Sequence, residues 1–287
     1  GGKYRGGFHD FAIETGGVTV FPRLIAAEHH RDFTDDLLST GLTEFDEMLG
    51  GGITPGTNTL LNGPSGVGKT TTAVRAGLTA IERGEKAAYF LFDEGIATMM
   101  ARSRAMGMDL QPCIDSGAMQ VFQIDPAEVT PGEFASWVRR AVETDGVRFI
   151  AIDSLNAFLQ AMPGEKYLLL QMHEMLSYLN QQGVVTFLIL GQHGIIGDVR
   201  SEIDLSYLSD TIVLFRYFEA RGNVLKAISV AKSRTTEHQS SIREFRLTPG
   251  GIEIGIPLKD FEGVLTGLPT YHGETPLLSA VPHAGDQ

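Results

Sequence analysis

The sequence predicts an α/β fold, with a mostly parallel β-sheet flanked by helices and an antiparallel β extension at its C-terminal edge. Two observations carry this prediction. Between residues 57 and 190, short apolar runs typical of buried strands alternate with segments of helical period. Beyond residue 210 the alternation stops, and two β-rich runs flank a Gly-Asn pair. In such a sheet, ligands bind beyond the carboxyl ends of the strands, so candidate site residues are sought there.

Each predicted element has a signal of its own. Strands are expected where β-branched and apolar residues cluster, at residues 57–62, 87–92, 119–124, 148–153, 184–190, 211–218, 224–231 and 242–247. Helices are expected at residues 40–49, 71–83, 98–106, 134–142 and 168–179. Thr130-Pro131-Gly132-Glu133 is a capping box with Pro at the first helical position. Gly222-Asn223 is the expected turn of the late hairpin.

The chain is expected to have three parts. Residues 1–32 are the predicted tail of a preceding module and a linker, residues 33–270 one large domain, and residues 271–287 a flexible tail. The frame K-x-R-x-x-x-H occurs at residues 3–9 and again at residues 232–238, and a Gly-Gly pair follows each copy. Because the chain also begins with Gly, we expect a tandem protein with a second phosphate loop upstream. The alternative is a coincidence between two short strand-turn-strand segments.

Residues 63–70 fit the phosphate-loop pattern GxxxxGK[ST], with a strand before them and a helix after them. Glycines let the backbone approach phosphate oxygens, and the N–H groups that open the helix carry positive partial charge. Lys69 is expected to reach the β- and γ-phosphates of ATP, and the Thr70 hydroxyl to bind Mg²⁺. The alternative is a chance Gly-rich turn. The predicted nucleotide-binding residues are Gly63, Pro64, Ser65, Gly66, Val67, Gly68, Lys69, Thr70, Thr71 and Gln192.

Polar residues follow three further strands. Asp153 ends an apolar run and is predicted to hold Mg²⁺, directly or through water, unless it caps the following turn. Asp93 and Glu94 follow another strand, where a carboxylate can orient or deprotonate the water that attacks the γ-phosphate. The alternative for these two acids is a cap on the next helix. Gln192 is a candidate contact to the γ-phosphate, or else a structural residue.

Together with Ser209-Asp210-Thr211 and Lys232-Ser233-Arg234, these motifs resemble the KaiC family of RecA-like P-loop ATPases, from about residue 33 to residue 269. The likeness is best to the second, C-terminal module of tandem KaiC proteins. The resemblance implies a RecA-like core, a hexameric ring with ATP at subunit interfaces, slow Mg-dependent hydrolysis and, in some members, autophosphorylation. It also implies protein partners of the KaiA or KaiB kind, or signalling partners.

Carried over by position, Lys69 and Thr70 match the Walker A pair and Asp153 the Walker B acid. Asp93-Glu94 stands where the family has Glu-Glu, which makes these acids and Lys69 catalytic candidates.

Lys232 and Arg234 match residues that reach a neighbour's phosphates, and are further catalytic candidates. The alternative is that they decorate an exposed hairpin. The family's adjacent Ser and Thr phosphoacceptors fall on Ser206-Tyr207. This departure weighs against an ordered two-site cycle and against a clock role, although a clock-like and a signalling role both stay open. Ser206 is left as a candidate autophosphorylation site, or as the cap of a turn.

Charge and composition narrow the function classes. The formal charge of −12 argues against a non-specific nucleic-acid binder, so a RecA-like nucleic-acid-dependent ATPase is the less favoured alternative. A nucleotide-gated scaffold that barely turns over is the non-enzymatic alternative. No apolar run reaches the roughly 18–20 residues that a membrane span needs, so no membrane partner is expected. The single cysteine, Cys113, excludes an internal disulfide and favours a cytoplasmic location.

Overall fold

The computed structural model describes residues 6, 9–161, 165–192, 206–220, 222–266 and 269–273. Within these residues the chain forms thirteen strands and seven helices. The strands are β1 (Asp10–Glu14), β2 (Gly17–Phe21), β3 (Asn58–Pro64), β4 (Lys86–Leu91), β5 (Met119–Gln123), β6 (Val147–Asp153), β7 (Val185–Gln192), β8 (Thr211–Ala220), β9 (Asn223–Ser233), β10 (Ile242–Thr248), β11 (Gly251–Pro257), β12 (Phe261–Glu262) and β13 (Thr270–Tyr271). The helices are α1 (Thr43–Met48), α2 (Lys69–Glu82), α3 (Ile96–Ala105), α4 (Gln111–Asp115), α5 (Pro131–Glu143), α6 (Leu155–Ala161) and α7 (Glu165–Gln181).

One nine-stranded sheet organises the domain, and its strand order is β11-β10-β9-β8-β3-β7-β6-β4-β5. The pairs from β8 through β3 to β5 are parallel, whereas β8–β9, β9–β10 and β10–β11 are antiparallel. The predicted fold class is therefore confirmed. Parallel strands need both faces covered, and the central strands are accordingly apolar along nearly their whole length.

Two apolar cores cover the two faces of this sheet. One core holds Phe45 of α1, Ala73 of α2 and Met99 of α3, and the other holds Val138 of α5 and Met172 of α7. Strand residues alternate between the two cores, as the two-residue period of a strand requires. This double burial fixes the sheet's register, and with it the positions of the strand ends.

Most element predictions are confirmed, with differences at the ends. The Thr130 hydroxyl accepts the Glu133 N–H at 3.2 Å, so the predicted helix start is confirmed. The late hairpin forms, but Ala220 pairs with Asn223, so its two-residue turn lies one residue earlier than predicted. Helices α4 and α6 were not predicted, because five to seven residues are too few to show a helical period. Tyr271, placed in the tail by the sequence, pairs with Phe261 in a two-stranded sheet.

The N-terminal strands β1 and β2 form a hairpin that contacts α5 and α7. The Asp10 carboxylate accepts the N–H of Gly132 at 2.6 Å, and Arg23 forms an ion pair with Glu174 at 3.0 Å. Further along, the main-chain N–H of Arg31 donates to the end of α7 at 3.1 Å. The described residues from Asp10 to Arg31 therefore contact the domain at several points. Lys3 and Arg5 of the repeated frame lie outside the described residues.

This hairpin has the same loop length as the hairpin β10–β11. Glu14 pairs with Gly17 across two residues, and Thr248 pairs with Gly251 across two residues. The two hairpins differ in their surroundings. Phe245 and Ile254 are 0% and 8% exposed, whereas the residues at the same register in the first hairpin, Phe11 and Val20, are 58% and 54% exposed.

None of the helices that the structure describes combines the length and the apolar character of a membrane span.

Candidate active site

The phosphate loop connects β3 to α2 and encloses the side chain of Lys69. The Lys69 ammonium donates to the carbonyl oxygens of Gly63 and Pro64, both at 2.7 Å. Gly66 and Gly68 have φ angles of +74° and +123°, which only glycine adopts without strain. Burial lowers the pKa of Lys69 to about 8, although the nearby Asp153 carboxylate opposes this shift. A partly desolvated cation is thus held ready for an anion.

The outer side of the loop packs against the antiparallel extension. The Tyr217 hydroxyl donates to the Ser65 carbonyl at 3.2 Å, and the Lys226 ammonium donates to the Gly66 carbonyl at 3.3 Å. A Cβ on Gly68 would lie 2.6 Å from the Phe245 ring. Sequence reasoning missed these supports, because nothing local in strands β8 to β10 indicates which residues face the loop.

Thr70 and Asp153, the two predicted magnesium ligands, are in contact. The Thr70 hydroxyl donates to an Asp153 carboxylate oxygen at 2.5 Å. Burial raises the pKa of Asp153, and the hydrogen bond from Thr70 opposes that rise. Among the described residues no cluster of three or more His, Cys, Asp and Glu could hold a metal alone. A hydroxyl and one carboxylate nevertheless suit Mg²⁺, which takes its remaining ligands from water and phosphates.

The two acids after β4 are engaged on the cavity wall. Asp93 accepts a hydrogen bond from the Ser154 hydroxyl. Glu94 forms a bidentate ion pair with Arg102, in which one bond is 2.8 Å long. Gly95 occupies the N-cap of α3, and the N–H of Ile96 donates to the Gln123 side chain at 3.3 Å rather than to either acid, so the helix-cap alternative for both acids is wrong. Arg102 was missed by sequence reasoning, since an Arg in the last turn of a helix normally points to solvent.

These groups line one cavity of about 530 Å³, a size typical of small-molecule sites. Of the predicted residues it brings together Ser65, Gly66, Gly68, Lys69, Thr70, Thr71, Asp93, Glu94, Asp153 and Gln192. Gly63, Pro64 and Val67 are absent from its lining. The first two hold Lys69 through their carbonyls, and Val67 is buried in the apolar core. Gln192, at the end of β7, accepts a hydrogen bond from Arg216, a residue that sequence reasoning missed.

The remaining candidates are Lys232, Arg234 and Ser206. They lie at the other end of the strands, where β3 and β8 begin. Arg234 pairs with Asp210 at 3.7 Å, and the Asp210 carboxylate accepts the N–H of Asn58, where β3 begins. Strand β3 then runs six residues to the phosphate loop, which is about 20 Å at roughly 3.3 Å per residue.

Lys232 lies in the same region and donates to the Ser209 carbonyl at 2.8 Å. Ser206 opens a short 3₁₀ turn just before β8, and its side chain lies outside what the structure describes. All three residues are therefore remote from their own chain's phosphate loop.

The sheet, the phosphate loop and the acids at the strand ends define an α/β nucleotide-binding protein of the RecA-like P-loop class. The family model described as "ATPase: KaiC" matches residues 38–259, and the chain therefore belongs to the KaiC family of ATPases. Membership implies that the matched domain binds and hydrolyses ATP.

Similar proteins include circadian clock oscillator proteins KaiC from three organisms. That of Picosynechococcus sp. is 26% identical over 270 residues, which cover 92% of this chain and 51% of the relative. That of Thermosynechococcus vestitus is 27% identical with the same coverage. That of Synechococcus elongatus is 26% identical over 276 residues, which cover 94% of this chain and 52% of the relative. The chain thus spans about half the length of the curated relatives it matches.

Proposed function

We propose that this domain binds ATP with Mg²⁺ in the cavity beyond β3 and hydrolyses it slowly. The observation that carries the proposal is the contact between Thr70 and Asp153 beside the buried ammonium of Lys69. Thr70 and Asp153 would hold Mg²⁺, which supplies positive charge to the phosphates. Lys69 and the loop N–H groups would bind the β- and γ-phosphates, and Gln192 the γ-phosphate.

In the hydrolytic step, a water oxygen attacks the γ-phosphorus and the bond to the bridging oxygen breaks, so that oxygen leaves on ADP. The water gives its proton to a carboxylate on the cavity wall, and Glu94 is our candidate acceptor. Asp93, held by Ser154, would orient this water or its neighbours. Burial of the cavity floor strengthens each of these electrostatic contacts relative to bulk water.

Lys69→Ala should weaken ATP binding by about a hundredfold or more, because phosphate oxygens lose a buried charged donor. In the unaltered protein, affinity for ATP should fall as pH rises above about 8, where Lys69 loses its proton in the nucleotide-free state.

Glu94→Gln should retain ATP binding and lose about 10²–10⁴-fold in turnover. Calorimetry with ATP, and phosphate release with and without EDTA, measure these quantities.

Lys86→Ala is the matched control, since Lys86 is exposed at the start of β4, away from the cavity. It should bind and turn over ATP normally. Undiminished binding by Lys69→Ala would overturn the nucleotide site, and full turnover by Glu94→Gln would remove Glu94 from its role.

We further propose that subunits assemble into a ring, hexameric by family resemblance, in which Lys232 and Arg234 reach the phosphates bound by a neighbour. Arg234 lies about 20 Å from its own phosphate loop, and Lys232 donates to Ser209 in the same region, which supports action between subunits rather than within one. A cation from outside the fold suits the charge that spreads over the γ-phosphoryl group in the transition state.

Equal mixtures of Arg234→Ala and Glu94→Gln subunits should regain activity that neither variant has alone. In randomly mixed rings, roughly one interface in four joins an intact Glu94 to an intact Arg234. Alone, Arg234→Ala should lose about 10³-fold or more in turnover, and Glu94→Gln about 10²–10⁴-fold. Steady-state turnover of the mixture, with ring mass checked by light scattering, gives the result. Intact mixed rings that show no recovery would contradict action between subunits.

Ser206 is our proposed autophosphorylation site, in a clock-like or signalling role. It lies at the same sheet edge as Lys232 and Arg234, so a ring would bring it toward a neighbour's γ-phosphate. The serine oxygen would attack the γ-phosphorus as ADP leaves, and its proton would pass to Glu94 of that neighbour. Tyr207, whose side chain is half exposed, carries its oxygen several ångströms further from the backbone.

After prolonged incubation with ATP, intact-mass spectra should show one added phosphate on a minority of chains. The added mass should vanish in Ser206→Ala and persist in Tyr207→Phe. Spectra that stay unmodified at every time point would remove the site, while leaving ATP hydrolysis untouched.

The hairpin β1–β2 supports the proposal that residues 1–32 end a preceding module. It repeats the loop length of β10–β11, and it exposes at Phe11 and Val20 the register positions that β10–β11 buries. A preceding sheet would cover those side chains in the same way. The natural reading frame upstream of residue 1 should therefore encode a second GxxxxGK[ST] motif, and a frame without one would refute this organisation.

A further inference from the structure

Arg102 is the one charged wall residue of the described nucleotide cavity to which the proposed function gives no role. It lies in the last turn of α3, and its guanidinium turns back eight residues to meet Glu94. Both carboxylate oxygens of Glu94 accept from it. Arg102 and Glu94 line the same cavity as Lys69 and Asp153.

The pairing restricts how Glu94 can meet an attacking water. Arg102 occupies one lone-pair site on each carboxylate oxygen in a fork-to-fork arrangement. A water would have to use the sites that remain, on a carboxylate whose charge is shared with a guanidinium. Departure of Arg102 would open the paired sites to the water.

The ion pair is also placed where it can exchange partners. Its side chains are 32% and 19% exposed, so water screens the attraction between them. Ion pairs of this kind change an equilibrium by only about two- to fivefold. A γ-phosphate in the same cavity would bring two or three negative oxygens, whose geometry a guanidinium matches in bidentate fashion. The phosphate is thus the stronger competitor for Arg102.

We infer that Arg102 is a phosphate-binding residue acting within its own subunit: it leaves Glu94 for the γ-phosphate of ATP and thereby releases Glu94 to accept the proton of water. This inference rests on the proposed function and deepens it. ADP lacks the γ-phosphate, so with ADP bound the Arg102–Glu94 pair stays closed. The site then distinguishes ATP from ADP, and Glu94 is released only when the bond to the γ-phosphate is present.

The decisive comparison is between Glu94→Gln and the double variant Glu94→Gln, Arg102→Ala. Removing Arg102 alone would expose a bare carboxylate that repels phosphate, and this would mimic the loss of a contact. In the Glu94→Gln background no such carboxylate exists. Affinities are measured by calorimetry, with Mg²⁺, for the non-hydrolysable β,γ-imido analogue of ATP and for ADP. The double variant should bind the analogue about ten- to a hundredfold more weakly than Glu94→Gln does, and ADP equally well.

Two further variants separate a contact from a general charge effect. Arg104→Ala in the same background removes a positive charge from the same helix, where Arg104 faces the exposed Asp109 at 3.7 Å. It should leave both affinities unchanged. Arg102→Lys should recover only part of the discrimination, because an ammonium cannot form the bidentate contact. Glu94→Gln alone should bind the analogue about two- to fivefold more tightly than the unaltered protein does.

Equal losses for the analogue and for ADP, or no loss for either, would overturn this inference while leaving the nucleotide site intact. Matching losses in Arg102→Ala and Arg104→Ala would overturn it as well, since the effect would then be one of net charge. Failure of the unaltered protein to bind ATP would instead remove the proposed function, and this inference with it.

Discussion

A buried positive charge organises this domain. The Lys69 ammonium is removed from most of the solvent, and burying a charge costs several kcal/mol unless partners compensate it. Two main-chain carbonyls and the nearby Asp153 carboxylate supply that compensation. For these groups to reach the ammonium, the end of β3 has to fold around the start of α2, and β6 has to end at the same level of the sheet as β3. The glycines of the loop and the acid at the end of β6 meet this requirement, at positions that the doubly buried sheet sets.

The sheet turns this local requirement into a shared site. Because the strands from β3 to β5 are parallel and buried on both faces, their carboxyl ends meet at one edge. That edge collects the loop after β3, the acids after β4 and β6, and Gln192 after β7. The opposite edge collects a different set, namely Arg234 and the turn that begins at Ser206. The two sets of candidate residues thus lie at opposite ends of the strands.

Local patterns were enough to predict the fold and the floor of the site. A phosphate loop between a strand and a helix, and Asp153 at the end of an apolar run, are signals contained within a few residues. The walls could not be predicted in this way. Arg102 reaches Glu94 only because α3 begins immediately after the acid pair and its last turn faces the cavity that this pair lines. Tyr217 reaches the phosphate loop only because strand pairing places β8 beside β3. Contacts between elements that are far apart in the chain produce no fixed residue spacing in the sequence, so no motif reveals them.

The support behind the phosphate loop has a consequence for binding. Tyr217, Lys226 and Phe245 contact the outer side of the loop and support its shape. Contacts within the fold therefore restrict the loop, and they reduce the conformational entropy that nucleotide binding has to remove. A loop that is fixed in this way keeps one shape, so its conformation cannot indicate which nucleotide is bound. Only side chains that can exchange one hydrogen-bond partner for another can respond to the number of phosphates in the site.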